Sequence, residues 1–143
     1  MLLCSKHLFF FTEICTTSYW FYFNNSCFKL FKEELNWFKK SPVPGQSTLT
    51  SIHSAEENKF VRQLPALTSY AWIGLFNLNS TDHSYEWVDG SMVDFRNWDD
   101  GEPNNYLGLG ENCTQLLVTG EGEWNNGPCN FDGAFLVRKR CSP

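Results

Sequence analysis

Trp98-Asp99-Asp100-Gly101-Glu102-Pro103-Asn104, Gly110-Glu111-Asn112-Cys113 and Trp124-Asn125-Asn126-Gly127-Pro128-Cys129 are the stretches on which the reading of this sequence turns. From Asp99 to Gly110 there are few apolar residues and little periodicity. A loop of that length is uncommon in a compact domain unless it carries a function. Glu102, Asn104, Glu111 and Asn125, with Asn126 adjoining, all present oxygen, the ligand a hard cation such as Ca2+ takes in sets of about six to eight. Pro103 would fix the turn so that its neighbours project together, and it is a candidate for a cis peptide bond. A disulfide between Cys113 and Cys129 would bring Glu111 beside Asn125. Composition alone favours the plainer reading, that these are ordinary loop residues.

Outward from the loop, short β-like runs at Tyr70–Leu75, Tyr85–Val88, Cys113–Val118 and Ala134–Arg138 alternate with Asn, Asp, Gly and Pro. The first half reads differently. Leu30, Phe31, Leu35 and Phe38 are spaced as the apolar stripe of a helix ended by Pro42 and Pro44. Ser54-Ala55-Glu56-Glu57 reads as a capping box opening a second helix, with Phe60, Val61 and Leu64 on its buried face and Pro65 stopping it. Leu49 and Ile52 belong to a short extended stretch between them. Two helices followed by loop-rich strands indicate an α+β class.

The chain has 143 residues, enough for one domain with a real core. At 42% hydrophobic and 19% charged it is not intrinsically disordered. Its formal charge of −5, with the basic residues scattered, argues against a nucleic-acid surface. No apolar run approaches the ~20 residues of a membrane-spanning helix. Leu8–Phe11 is shorter than the ~7–15 residues of a secretory core, which leaves a degenerate signal or an incomplete start open; residues 1–14 are set apart as an N-terminal segment, with a leader remnant one reading of it, and 15–143 as the domain.

Six cysteines, an even set, allow fifteen full pairings. None lies in a C-x-x-C pair, which argues against a zinc site. Sequons at Asn24, Asn79 and Asn112 fit a secreted protein, although Asn112 abuts Cys113, which leaves Asn24 and Asn79 as the glycosylation candidates. A disulfide-bonded extracellular protein is the expectation.

In order and spacing, Trp72-Ile73-Gly74-Leu75, Glu86-Trp87-Val88-Asp89-Gly90-Ser91, Asn97-Trp98, Gly101-Glu102-Pro103-Asn104, Gly110-Glu111-Asn112-Cys113 and Trp124-Asn125-Asn126-Gly127-Pro128-Cys129 resemble the C-type lectin domain. Trp20, Asn25-Ser26-Cys27 and Phe28 are similar to its opening hairpin, and Leu49 to Phe60 to its second helix and lead-in. The resemblance runs from about Cys15 to Val137. It implies a fold of two helices and small antiparallel sheets, with a long Ca2+-binding loop region. Glu102, Asn104, Glu111, Asn125 and Asn126 would be the Ca2+ ligands and would also hold the sugar, whose neighbouring hydroxyls coordinate the ion. The order Glu-Pro-Asn implies mannose, fucose and N-acetylglucosamine, with galactose disfavoured. Trp72, Trp87, Trp98 and Trp124 match core and loop anchors rather than stacking platforms. Implied disulfides are Cys15–Cys27 and Cys113–Cys129; Cys4 and Cys141 are left over, to bridge the two termini as Cys4–Cys141, to bond another chain, or with Cys4 in a removed leader.

The sequence departs from that family at two places. Asn126 stands where Asp is usual, which leaves two carboxylates in the set and implies weaker Ca2+ binding. Pro42 and Val137 stand where the family bridges its first helix to its last strand, removing a loop closure worth ~4 kcal/mol. Asn77, Thr81, Asn105 and Asn112 occupy the places of an auxiliary calcium site, which is expected to be absent. Two binding functions follow: a Ca2+-dependent lectin for glycans on cells or glycoproteins, or a calcium-independent lectin-like domain that recognises a protein. An oligomer would supply multivalency. No enzyme is expected, because metal-committed carboxylates serve poorly as general acids and His7, His53 and His83 lie outside the constellation.

Overall fold

The computed structural model describes residues 13–15, 20–39, 47–65, 67–77 and 84–140. The expectations resting on Cys4, Cys141, His7, Pro42, Asn79, Thr81, His83 and the side chain of Cys15 lie outside the described residues. Strands β1 (Glu13–Cys15), β2 (Trp20–Phe23) and β3 (Ser26–Asn36) pair antiparallel. The β2–β3 hairpin turns at Asn24 and Asn25, whose φ values of 44° and 63° are left-handed, a conformation asparagine tolerates. Asn24 is exposed there.

β4 (Thr48–Leu49), helix α1 (Ala55–Arg62), β5 (Tyr70–Phe76) and β6 (Glu86–Trp87) follow, then β7 (Cys113–Leu117), β8 (Trp124–Gly127) and β9 (Asp132–Arg140). The strands join in one sheet of order β1-β2-β3-β9-β5-β7-β8, with β4 on β9 and β6 on β5. The class is α+β. The small antiparallel sheets of the sequence reading are in fact connected, through a parallel pairing of β5 with β9.

The expected first helix is a strand. Phe31 lies opposite Phe135 and Leu35 opposite Gly133, so four residue steps on β3 match two on β9 across a bulge. A bulged strand therefore returns Phe31 and Leu35 to one face, as a helical turn would, and their spacing does not discriminate. Pairing with β9 decides it: Leu30 faces Leu136, and the Phe31 and Phe135 rings stack at 5.1 Å. Only a 3-10 turn, Trp37–Lys39, follows, and Phe38, expected on a buried stripe, is 65% exposed.

α1 forms as the capping box predicts. Ser54 accepts from the Glu57 N–H at 3.1 Å, and the Glu57 carboxylate reaches back to the His53 N–H at 2.7 Å. The helix ends at Arg62, capped by Gln63. Two apolar clusters lie on the sheet. Ala71, Ile73 and Leu75 of β5 enter the one that holds Phe28, Val61 and Trp124, while Trp72 enters the one that holds Trp20, Leu49 and Phe135. Alternation along one strand thus feeds both. Trp72, Trp87 and Trp124 are buried, so three of the four tryptophans are core anchors, and Trp98 is half-buried against Trp124.

Candidate functional site

Trp124 fixes the long loop to the core. Its ring meets Trp87, Phe95 and Trp98 edge-on at 5.7, 5.7 and 5.9 Å. Its indole N–H donates to Asn58 of α1 at 2.8 Å, and the Asn58 amide donates to the Gly122 carbonyl at 2.9 Å. Its backbone accepts from Asp99 N–H and donates to Asn97, so the residue before Asn125 holds both ends of the segment that leads into Glu102. The chain then turns at Gly101, whose φ of 83° favours glycine, and the Glu102 N–H closes onto Asp99 at 3.0 Å. The Glu102–Pro103 bond is cis.

Four of the five expected ligands form a connected set. Asn104 donates its amide to Glu102 Oε1 at 2.6 Å and its backbone N–H to Asn126 Oδ1 at 3.0 Å. The Asn126 amide donates to the Glu111 carbonyl at 2.9 Å. Asn125 adjoins on β8, with its amide tied to Gln115 at 3.0 Å. Cys113 and Cys129 are bonded, with Cα atoms 5.2 Å apart, and clamp the foot of β7 beside β8. Cys27 is also disulfide-bonded.

Glu111 is 9% exposed, and its Oε2 accepts the Tyr106 N–H at 2.7 Å. Glu102 Oε2 is buried and has no hydrogen-bond partner. Burial holds the Glu102 carboxyl above its ordinary range. The backbone N–H groups of Asn126 and Asn104 oppose that rise without reaching hydrogen-bond geometry, and the charges of Glu111 and Asp99 add to it.

That buried oxygen, with the second carboxylate and three amide oxygens, suits a hard cation. The set holds only two acidic groups, and among the described residues no three of His, Cys, Asp and Glu gather as a metal cluster. Asn105, expected at an auxiliary site, spends its side-chain oxygen on the N–H groups of Gly110 and Glu111 at 2.9 and 3.3 Å.

Sequence reading missed two supports of this site, Gln115 and Tyr85, and assigned a third, Asn105, to a different place. The Tyr85 hydroxyl faces the Asn126 side chain. Its pKa is pushed up to about 12, chiefly by burial, with the Asn126 side chain opposing the rise and the charges of Glu102 and Glu111 adding to it. No local pattern marks these residues, because each acts on a partner distant in sequence or across the loop.

His53, expected as a surface or packing residue, packs tilted against Trp87 with ring centroids 6.1 Å apart. It also contacts Asp94 at 2.8 Å and Ser91 at 3.2 Å, a Ser-His-Asp order in outline only. The single Ser91 hydroxyl proton goes to Asp89 at 2.5 Å, so the hydroxyl is not delivered to the imidazole as a nucleophile requires.

The sequence pattern of the family described as "Lectin C-type domain" matches residues 43–137. The human C-type mannose receptor 2 is 38% identical over 123 residues, 84% of this chain and 8% of the receptor. The chain spans under a tenth of the curated relatives it matches, 4% of the rat versican core protein for example. Among solved structures, the cow carbohydrate-recognition domain of CD23, studied with an oligosaccharide of N-acetylglucosamine and mannose, is 28% identical with a TM-score of 0.76, covering 89% of this chain and 97% of that one. A calcium-independent type II antifreeze protein is 25% identical with a TM-score of 0.75, covering 87% and 93%.

Proposed function

Because this chain belongs to the C-type lectin domain family, we propose that it is a calcium-dependent carbohydrate-binding module for mannose, fucose and N-acetylglucosamine-type glycans. The observation that carries this reading is the buried, unpartnered Glu102 Oε2 beside a second carboxylate, Glu111: the site holds a carboxylate oxygen that none of its own hydrogen-bond donors meets. Glu102, Asn104, Glu111, Asn125 and Asn126 would hold the ion, and Ca2+ would supply the positive charge on which a sugar diol docks. The side chains then sort the hydroxyl protons. Glu102 accepts from one, and the Asn104 amide donates to another.

The test is retention on mannose-agarose in calcium, with release by EDTA or by acid, which protonates the carboxylates. Calorimetry with Ca2+ and then mannose gives the two steps separately. Folded protein that takes up neither refutes the proposal.

One observation favours a second reading, a calcium-independent domain that recognises a protein. Both polar side-chain atoms of Asn126 are committed to backbone groups, the Asn104 N–H and the Glu111 carbonyl. Glycan-independent capture of a protein that persists in EDTA would select it.

The disulfides fit an extracellular setting, in which the partners are glycans on cells or glycoproteins. No helix among the described residues is long and apolar enough to cross a membrane. A single shallow site binds a monosaccharide weakly, so several copies on one surface would supply avidity.

A further inference from the structure

Among the described residues, six large apolar side chains are prominently exposed, and three of them stand within four positions: Tyr106 at 61%, Leu107 at 77% and Leu109 at 58%. They occupy a 3-10 turn, Tyr106–Gly108, and its exit, immediately after the Glu102-Pro103-Asn104 tip. Scattered exposed apolar residues need no explanation, but a cluster does. Leu107 also sits at φ 55°, a left-handed conformation that leucine adopts at a cost. The turn is held there from below: Glu111 accepts the Tyr106 N–H, and Asn105 accepts the N–H groups of Gly110 and Glu111. The carboxylate expected to bind calcium therefore also props an apolar prow beside the place where the sugar would lie.

Charge narrows what can cover this prow. The carboxylates at the tip are Glu102, Glu111 and Asp99, and the sequence has no Lys, Arg or His between Arg96 and Arg138, so an anionic bilayer or an acidic partner is repelled. A ligand whose hydroxyls meet Glu102 and Asn104 while its carbons meet Leu107 and Leu109 is an uncharged amphiphilic glycoside. We infer that Tyr106, Leu107 and Leu109 form an aliphatic-chain subsite next to the sugar position, so that the preferred ligand is a neutral glycolipid whose hydrocarbon chain leaves the sugar along this turn. This rests on the carbohydrate reading above, from which the turn's hydrogen bond to Glu111 extends it.

Calorimetry of the whole chain in calcium, with methyl and octyl α-mannosides as probes below the micellar range, tests it. Octyl mannoside should bind about tenfold more tightly, the equivalent of ~1.4 kcal/mol or roughly two buried methylenes. Leu109→Ser should abolish the difference and leave the methyl glycoside unchanged. Leu107→Asn should do the same while relieving the backbone, since asparagine tolerates the left-handed region, so a loss there cannot be put down to misfolding. Equal affinity of the two glycosides, or a preference that survives both substitutions, overturns the inference alone. Failure of the protein to bind either glycoside overturns the carbohydrate reading and this inference with it.

Discussion

Replacing Asn126 by Asp should weaken the metal-free protein and strengthen its response to calcium. Asn126 is 2% exposed, and its two side-chain atoms do different work. Oδ1 accepts the Asn104 N–H, which an aspartate would still do. Nδ2 donates to the Glu111 carbonyl, which an aspartate cannot do. The substitution thus orphans a carbonyl at a buried site, at ~1–3 kcal/mol, and adds a third carboxylate beside Glu102 and Glu111. We expect a loss of ~2 kcal/mol in EDTA. In calcium the extra ligand charge should tighten binding about tenfold. At one calcium concentration well above both dissociation constants, that returns ~1.4 kcal/mol more to the variant than to the parent. Urea unfolding followed by tryptophan fluorescence, in EDTA and in calcium, measures both gaps. The stability deficit should shrink from ~2 to under ~1 kcal/mol on adding calcium. A deficit that calcium leaves unchanged would refute the charge argument, and equal stability in EDTA would refute the role given to Nδ2.

Three other substitutions test separate parts of the structure. Glu102 is held above its ordinary pKa, so the folded state binds its proton more tightly than the unfolded state. Its contribution to metal-free stability is present below the unfolded carboxylate range and is lost as pH rises through the raised value. Glu102→Gln should therefore raise Tm in EDTA at neutral pH, lose that advantage on acidification, and abolish calcium uptake. Asn58→Ala deprives the buried Trp124 indole N–H of its acceptor and the Gly122 carbonyl of one of two donors, the other being Asn97. It should cost ~2–4 kcal/mol by urea unfolding. Adding Trp124→Phe should then cost less than it does in the parent, because no indole N–H remains to be orphaned. Gly74→Ala would put a Cβ 2.8 Å from the Leu49 carbonyl oxygen and 2.7 Å from Val88, and backbone cannot yield cheaply. A loss of ~1–3 kcal/mol is expected, and a neutral result would show that β5 moves more freely than its packing implies.

How much was legible in the sequence follows from the range of each interaction. α1 was readable because Ser54 and Glu57 are three residues apart and bond through local backbone. The strands β5 and β7 were readable from β-like runs between turn residues. β3 was not, because a two-residue bulge makes strand spacing coincide with helical spacing and only β9, a hundred residues on, breaks the tie. At the site, the oxygen-bearing residues were visible by type and order. Their wiring was not: the Gln115 to Asn125 bond across two strands and the Asn105 to Gly110 bond within the loop join residues with no distinctive pattern. The exposed trio at 106–109 was likewise invisible, since apolar residues in a sequence carry no mark of which way they face.

The wiring also changes the meaning of the departure at Asn126. Counted as charge, a neutral amide at this position is simply a poorer ligand. Counted as hydrogen bonds, its side chain joins the proline-bent tip, through the Asn104 N–H, to the foot of β7, through the Glu111 carbonyl. An aspartate could make only the first link and would need a cation to hold the second in place. With asparagine, the tip and the neighbouring strand are already joined when calcium arrives, and less ordering remains to be done on binding. Lower intrinsic affinity and lower reorganisation cost then work against each other. The parent should accordingly show weak calcium binding with little change in loop protection, whereas Asn126→Asp should bind more tightly and order residues 102–111 on binding. Hydrogen exchange of the 104 and 106 amides with and without calcium distinguishes the two, and a large calcium-dependent protection in the parent would show that the amide does not brace the tip.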